Sequence, residues 1–150
     1  MRAVIQRVYE ASVSIGGNEH ARISKGLMVL LGIAAGDTHE DLEWLCGKIA
    51  RIRLFPDEGG VMNLDINEAD GELLLISQFT LLANTAKGNR PSYIRAARPE
   101  EAIPLYEKTK RYLDALVGRR LKTGTFGADM QVSLINDGPV TIVIDSRSRE

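Results

Sequence analysis

The sequence predicts a single mixed α/β domain. Runs of two-residue alternation, or of continuous aliphatic and β-branched residues, recur from one end to the other. Two segments of helical period interrupt them, giving the order strands, helix, strands, helix, strands. No linker, internal repeat or low-complexity tract divides the 150 residues, a length sufficient for one compact core. Hydrophobic residues at 44% and charged residues at 26% fit a globular chain, and no apolar run approaches the roughly 20 residues a membrane span needs.

Residues 2–15 alternate, with Val4, Gln6 and Val8 on one face and Ile5, Arg7 and Tyr9 on the other, followed by Val13 and Ile15. Gly16-Gly17-Asn18 then turns the chain into a second strand that runs through Ile23, forming a hairpin. Leu27 to Ile33 is continuously apolar and suits a strand buried on both faces. Gly36-Asp37-Thr38 opens a helix. Asp37 is its expected cap, Glu40 follows three residues later, and Leu42, Leu45, Ile49 and Ile52 form the apolar stripe, with Trp44 and Cys46 flanking it. Arg51 to Phe55 is expected to return to strand and Asp57-Glu58-Gly59-Gly60 to be loop. The acidic stretch 64–72 has neither histidines nor calcium-loop spacing, so it reads as surface.

Leu73-Leu74-Leu75-Ile76 is a second buried strand, leading into Ser77-Gln78-Phe79-Thr80-Leu81-Leu82-Ala83. Residues 84–98 carry Lys87, Arg90, Arg95 and Arg98 around Tyr93 without a single acid, and Gly88 and Pro91 make the first part loop. Pro99-Glu100-Glu101 starts a second helix, with Leu105, Tyr112, Leu113 and Leu116 as its buried face and Gly118 as its end. A glycine-rich stretch, 123–129, approaches two further strands, Met130–Ile135 and Val140–Asp145. Between them, Asn136-Asp137-Gly138-Pro139 reads either as a tight hairpin turn, for which Asp-Gly is suited, or as a functional loop. The spacing fits the hairpin better, but Pro139 complicates it, because it gives no N–H to a ladder and restricts Gly138 before it.

The chemistry is narrowed mostly by exclusion. One cysteine cannot form an internal disulfide, and together with an N-terminus lacking a signal core it makes the cytoplasm the default compartment. His20 and His39 have no neighbouring ligand partners, so no zinc site is expected, and Cys46 lies mid-helix as a core residue. Neither G-x-S-x-G nor a phosphate loop occurs. Ser77 and Thr80 follow a buried strand, where they could cap the strand end or serve a site. Phe79 and Phe126 are expected in the core. The halves differ in charge: residues 1–80 hold 7 Lys/Arg against 12 Asp/Glu, and residues 81–150 hold 12 against 8. A polyanion partner therefore belongs to the second half, where the basic run around Tyr93 is either solvated surface or a phosphate track with a stacking aromatic.

Ser77-Gln78-Phe79-Thr80-Leu81 together with Asn136-Asp137-Gly138-Pro139-Val140-Thr141 resembles the two signature motifs of the D-aminoacyl-tRNA deacylases. Met1 to Val8 with Arg7, Lys87-Gly88-Asn89-Arg90-Pro91-Ser92, and Thr123 to Val132 with Phe126 and Met130 agree in order and register over essentially the whole chain; Tyr93 is a mild variation. The resemblance implies one domain over residues 1–150, a three-layer α/β/β fold with mixed sheets, and a cofactor-free and metal-free homodimer that acts on tRNA. The implied reaction is hydrolysis of the ester joining a D-amino acid, or mischarged glycine, to the terminal adenosine. Gly138-Pro139, with a cis peptide, would enter the partner's site as a chiral filter oriented by Arg7. Ser77, Gln78, Phe79 and Thr80 would form the catalytic segment, with Thr80 either a nucleophile or a bystander to the substrate's own 2′-OH. Ala102, Phe126 and Met130 would line the adenine pocket, and Lys87, Arg90, Arg95 and Arg98, with further help from Lys108, Lys110 and Arg111, would meet tRNA phosphates. Two other readings remain at this level: a hydrolase of small D-amino acid esters, and a non-enzymatic RNA-binding module.

Overall fold

The computed structural model describes residues 1–117 and 120–150. Its elements are β1 (Arg2–Ile15), β2 (Asn18–Ile23), β3 (Gly26–Gly32), α1 (His39–Arg51), β4 (Phe55–Pro56), β5 (Met62–Leu64), β6 (Glu72–Ser77), a 3-10 turn (Phe79–Leu82), α2 (Pro99–Val117), β7 (Leu121–Thr123) and β8 (Met130–Asp145). The expected helix end at Gly118, and Arg119 after it, lie outside the described residues.

The long alternating strand organises the sheet. The first half of β1 pairs antiparallel with β3, from Arg2 opposite Gly32 to Val8 opposite Gly26, and its second half pairs with β2. The opposite edge of β1 pairs along its length with β8. The continuous apolar runs behave as expected of strands buried on both faces: β3 lies parallel to β6, and β6 parallel to β7. One mixed sheet results, and it folds over itself. On one face Ala3, Ile5, Leu27, Val29, Leu31, Leu73 and Leu75 pack against α1 and α2. On the other, Met28, Leu74 and Ile76 pack against Val8, Ala11, Val13 and Ile23, with Met130, Val132 and Leu134 of β8 at the margin. Helices, central sheet and the folded-over half of the sheet make the three layers, with a small β4–β5 flap beside them.

The hairpin expected at 136–141 does not form. Both flanking runs belong to β8 and pair with β1 in the same direction. Opposite Arg7, which stands alone between the paired positions Gln6–Thr141 and Val8–Asn136, β8 inserts residues 137–140 as a wide bulge. The bulge sits where β8 passes from one core to the other: Met130, Val132 and Leu134 pack on one side of the sheet, Val140, Ile142 and Ile144 on the other.

Other expectations shift by a residue or a turn. Thr38, not Asp37, caps α1, in a reciprocal box with Asp41 rather than Glu40. The Asp37 side chain is instead fully buried, 2.9 Å from the Met1 ammonium and 2.9 Å from Arg147, and it accepts from the Ala34 amide. Cys46 lies fully within the core. Arg51 still belongs to α1, and strand resumes only at Phe55. The buried face of α2 runs through Ala102, Tyr106, Thr109, Leu113 and Val117, whereas Leu105, Tyr112 and Leu116 are its half-buried flanks.

Candidate active site

The site begins where β6 runs out. The Gln78 amide donates to the Leu31 carbonyl at 2.7 Å, which holds the strand end against β3, and the chain then tightens into the 3-10 turn. This turn rests on the bare backbone of Gly32. A Cβ there would lie 2.4 Å from a Leu82 methyl and 3.0 Å from the Gln78 carbonyl oxygen. Arg2 donates to the Leu81 carbonyl at 2.8 Å and pairs with Asp145 at 2.9 Å, tying the far end of the turn to the end of β8. The first bond inside the turn is from Leu81 to the Gln78 carbonyl, so the amides of Phe79 and Thr80 have no partner within it.

Next to this turn is a cleft of about 300 Å³. It is lined by Ser77, Gln78 and Phe79, by Ala102, the small buried residue near the start of α2, and by Phe126 and Met130. Phe126 leans on the buried Tyr106 ring at 5.5 Å between centroids. Met130 lies across Gly124, where a Cβ would come within 2.5 Å of its sulfur. Phe79 is not a core residue as expected; it is 55% exposed at the mouth of the cleft, edge-on to Tyr93 at 5.1 Å.

The basic segment adjoins that mouth. Hydrogen bonds from Ala35 to the Arg95 carbonyl and from Ala97 to the Ile33 carbonyl fasten it beside the end of β3, and Ala97 lines the cleft. Lys87, Arg90, Arg95 and Arg98 are exposed, and none pairs with an acid among the described residues. Lys108 and Arg111 are exposed on α2, whereas Lys110 is paired with Glu107 at 3.0 Å.

Four of the residues expected at the ester and its chiral filter are not among those lining the cleft: Thr80, Arg7, Gly138 and Pro139. The Thr80 hydroxyl accepts from the Gln78 side-chain amide. Arg7 is buried, donates to the Leu54 carbonyl and lies 2.9 Å from the Asp137 carboxylate, an ion-pair contact without hydrogen-bond alignment. It thereby holds the β8 bulge from inside. Asn136 closes the bulge, accepting from the Val140 amide at 2.8 Å and donating back to the Val140 carbonyl at 3.2 Å. Gly138 and Pro139, joined by a cis peptide, stand exposed at its tip. Gly138 has φ 128°, and a Cβ on it would lie 3.1 Å from the Val140 nitrogen and 3.3 Å from Arg7. Cys46, remote in α1, is pushed up to about 12 by burial and is no nucleophile at neutral pH.

Sequence reasoning did not single out Ala97, Asp129 or Gly32. Their roles follow from which backbone segments meet, and spacing along the chain carries no sign of that.

The strand-end turn, a cleft walled by aromatic and sulfur-bearing side chains and an exposed basic segment come together in one α/β domain. The D-Tyr-tRNA(Tyr) deacylase family model matches residues 4–145, and the chain belongs to that family. Proteins named D-aminoacyl-tRNA deacylase from Cytophaga hutchinsonii and Akkermansia muciniphila are each 59% identical to it over 150 residues, and one from Flavobacterium johnsoniae is 55% identical; each alignment covers all of both chains. A solved structure titled c-Myc DNA Unwinding Element Binding Protein superposes with a TM-score of 0.92 at 41% identity, covering 97% of this chain and 98% of that one. A structure described as a probable eukaryotic D-amino acid tRNA deacylase shares the fold, with a TM-score of 0.83 at 17% identity over 96% and 98% of the two chains.

Proposed function

We propose that the protein hydrolyses the ester bond of D-aminoacyl-tRNA, and of glycyl-tRNA, as a homodimer in which each cleft is completed by the partner's Gly138-Pro139. Family membership supports the reaction class. The observation that carries the shared-site reading is that Gly138 and Pro139 stand exposed on a firmly anchored bulge yet do not line the cleft of their own chain. An anchored backbone tip is suited to reject by collision. An L side chain directed at it would clash, whereas a D side chain would point away and glycine would present only a hydrogen, too small to collide. Discrimination of about 10⁴ requires roughly 5.5 kcal/mol, more than the 1–3 kcal/mol that one methylene-scale pocket contact supplies.

An aminoacyl ester is already activated, so positioning suffices. The amides of Phe79 and Thr80, unpaired within their turn, can stabilise the oxyanion, and Ser77 and Gln78 orient the ester. Phe126, Met130 and Ala102 receive the terminal adenosine, and the basic rim takes adjacent phosphates. Attack falls to water assisted by the substrate's 2′-OH. The one side-chain bond to the Thr80 hydroxyl comes from an amide, which cannot take its proton. Thr80→Ala is therefore expected to retain kcat within about tenfold, as loss of a positioning contact would allow. A folded variant that binds substrate but shows no single-turnover cleavage would make Thr80 the nucleophile.

The reaction is tested by incubating the protein with D- and L-tyrosyl-tRNA. Loss of the D charge alone is expected; survival of both charges would sink the reading. Turnover of a free D-amino acid ester without RNA would favour a metabolite hydrolase instead.

A further inference from the structure

The cleft contains one charged side chain, and it has the same sign as the proposed substrate. Asp129 precedes β8 and lines the cleft with Phe126, Gly127, Ala128 and Met130. No cation pairs with it among the described residues; its one side-chain contact is a long 3.5 Å approach from the Gln131 amide. A carboxylate that merely faced solvent could occupy any outer surface. In a site that admits a polyanion it lowers affinity by repulsion, unless it accepts a hydrogen bond from the bound molecule. Ionised Asp is an acceptor only, so its partner must be a donor.

We infer that Asp129 accepts a hydrogen bond from the exocyclic amine of the terminal adenine and so selects an aminopurine at the 3′ end. This rests on the proposed function. A flat ring seated against Phe126 and Met130 lies beside the segment that carries Asp129, which adjoins Met130 and is three residues from Phe126. The ester-handling groups Ser77 and Gln78 come from the end of β6, a different segment of the same cleft. A base bearing a carbonyl at that position would bring an acceptor against the carboxylate and be rejected, so one residue supplies both affinity and base identity.

The same acceptor chemistry could serve the α-ammonium of the aminoacyl group, and the test separates the two. Kinetics are compared for D-tyrosyl-tRNA ending in adenosine, the same tRNA ending in purine riboside, which lacks the amine, and tRNA bearing the α-hydroxy analogue of D-tyrosine. Wild type is expected to lose about tenfold in kcat/KM on the purine terminus, mainly through KM. Asp129→Ala should lose about tenfold on the adenosine terminus and nothing further on the purine one, with an unchanged thermal melt, since the residue is exposed. Losses that multiply, or an Asp129→Ala enzyme equal to wild type, overturn the inference. So does a penalty that vanishes on the α-hydroxy substrate, which would assign the carboxylate to the ammonium. No wild-type turnover of D-tyrosyl-tRNA at all would overturn the proposed function, and the inference with it.

Discussion

At the scale of single residues the site depends on side chains that are missing as much as on those present. Gly32 lets the 3-10 turn lie directly on β3, with the Gln78 carbonyl 3.0 Å from where a Cβ would stand. The Leu82 methyl can swing aside; the backbone oxygen cannot without shifting the turn. Gly32→Ala is therefore expected to cost about 1–3 kcal/mol of stability as a local overpacking. It should also lower single-turnover cleavage of D-tyrosyl-tRNA by more than tenfold, because displacements near 1 Å at a reacting centre can cost about a hundredfold. Thermal melting and single-turnover kinetics on the same sample check both halves. A variant that melts early yet cleaves at the wild-type rate would show that the turn does not position the reaction. Gly138 follows similar logic with a backbone constraint added: its φ of 128° is one that side-chain-bearing residues rarely adopt, and a Cβ would lie 3.1 Å from the Val140 nitrogen.

At the scale of elements, α1 is fastened at its start by charge. Burial acts to raise the Asp41 carboxyl, but hydrogen bonds from Ser146 and from the Thr38 amide and hydroxyl outweigh it, and the group is held down to about 2. A carboxyl depressed in the folded state contributes stability above its unfolded pKa of about 3.9 and loses it as the pH falls through its folded value. Thr38→Ala should thus reduce the melting temperature by about 2–4 °C at neutral pH, a typical cap loss of about 1 kcal/mol in a chain of this size. The deficit should shrink as the pH approaches 2, where wild type loses the same contact. Melts from pH 7 to pH 2 measure this, and a deficit constant across that range would assign the effect to helix propensity rather than to the carboxylate.

Elements also show how far the sequence could be read. The alternating and continuous apolar runs identified the longer strands and both helices, because burial of a face imposes its period on the chain. The segment 136–141 resembles a hairpin in sequence because Asp-Gly flanked by two strand patterns carries the same signal whether the chain reverses or bulges. Periodicity records which face is buried but not which strand is the partner, and here both runs pair with β1. An acid before a helix commonly caps it, which is what the sequence suggests for Asp37; its burial beside Met1 and Arg147 depends on partners from the two far ends of the chain. Tyr106 was missed because the stripe of α2 was centred one turn-face away from its buried line. In the cleft, Ser77, Gln78, Phe79, Ala102, Phe126 and Met130 could be named from motifs that resemble a family, whereas Asp129 and Gly32 gain meaning only from neighbours distant in sequence.

At the scale of the whole molecule, the folding of the sheet decides what one chain can complete. β8 crosses from one core to the other at the bulge, so Gly138-Pro139 emerges at the kink, while the cleft lies between β6, α2 and the segment leading into β8. If the tip serves a partner's cleft, function should be exchangeable between chains. One chain carrying Gly138→Val has a defective tip and an intact cleft; a second carrying Ala102→Trp has a blocked cleft and an intact tip. Each alone should be inactive or unselective toward D- and L-tyrosyl-tRNA. After co-refolding in equal amounts, half the dimers are mixed, and each mixed dimer contains one site with a sound cleft and a sound tip. About a quarter of the wild-type selective activity should return, as two-fold symmetry requires. A tip acting in its own cleft would restore nothing, because every site would then retain one lesion.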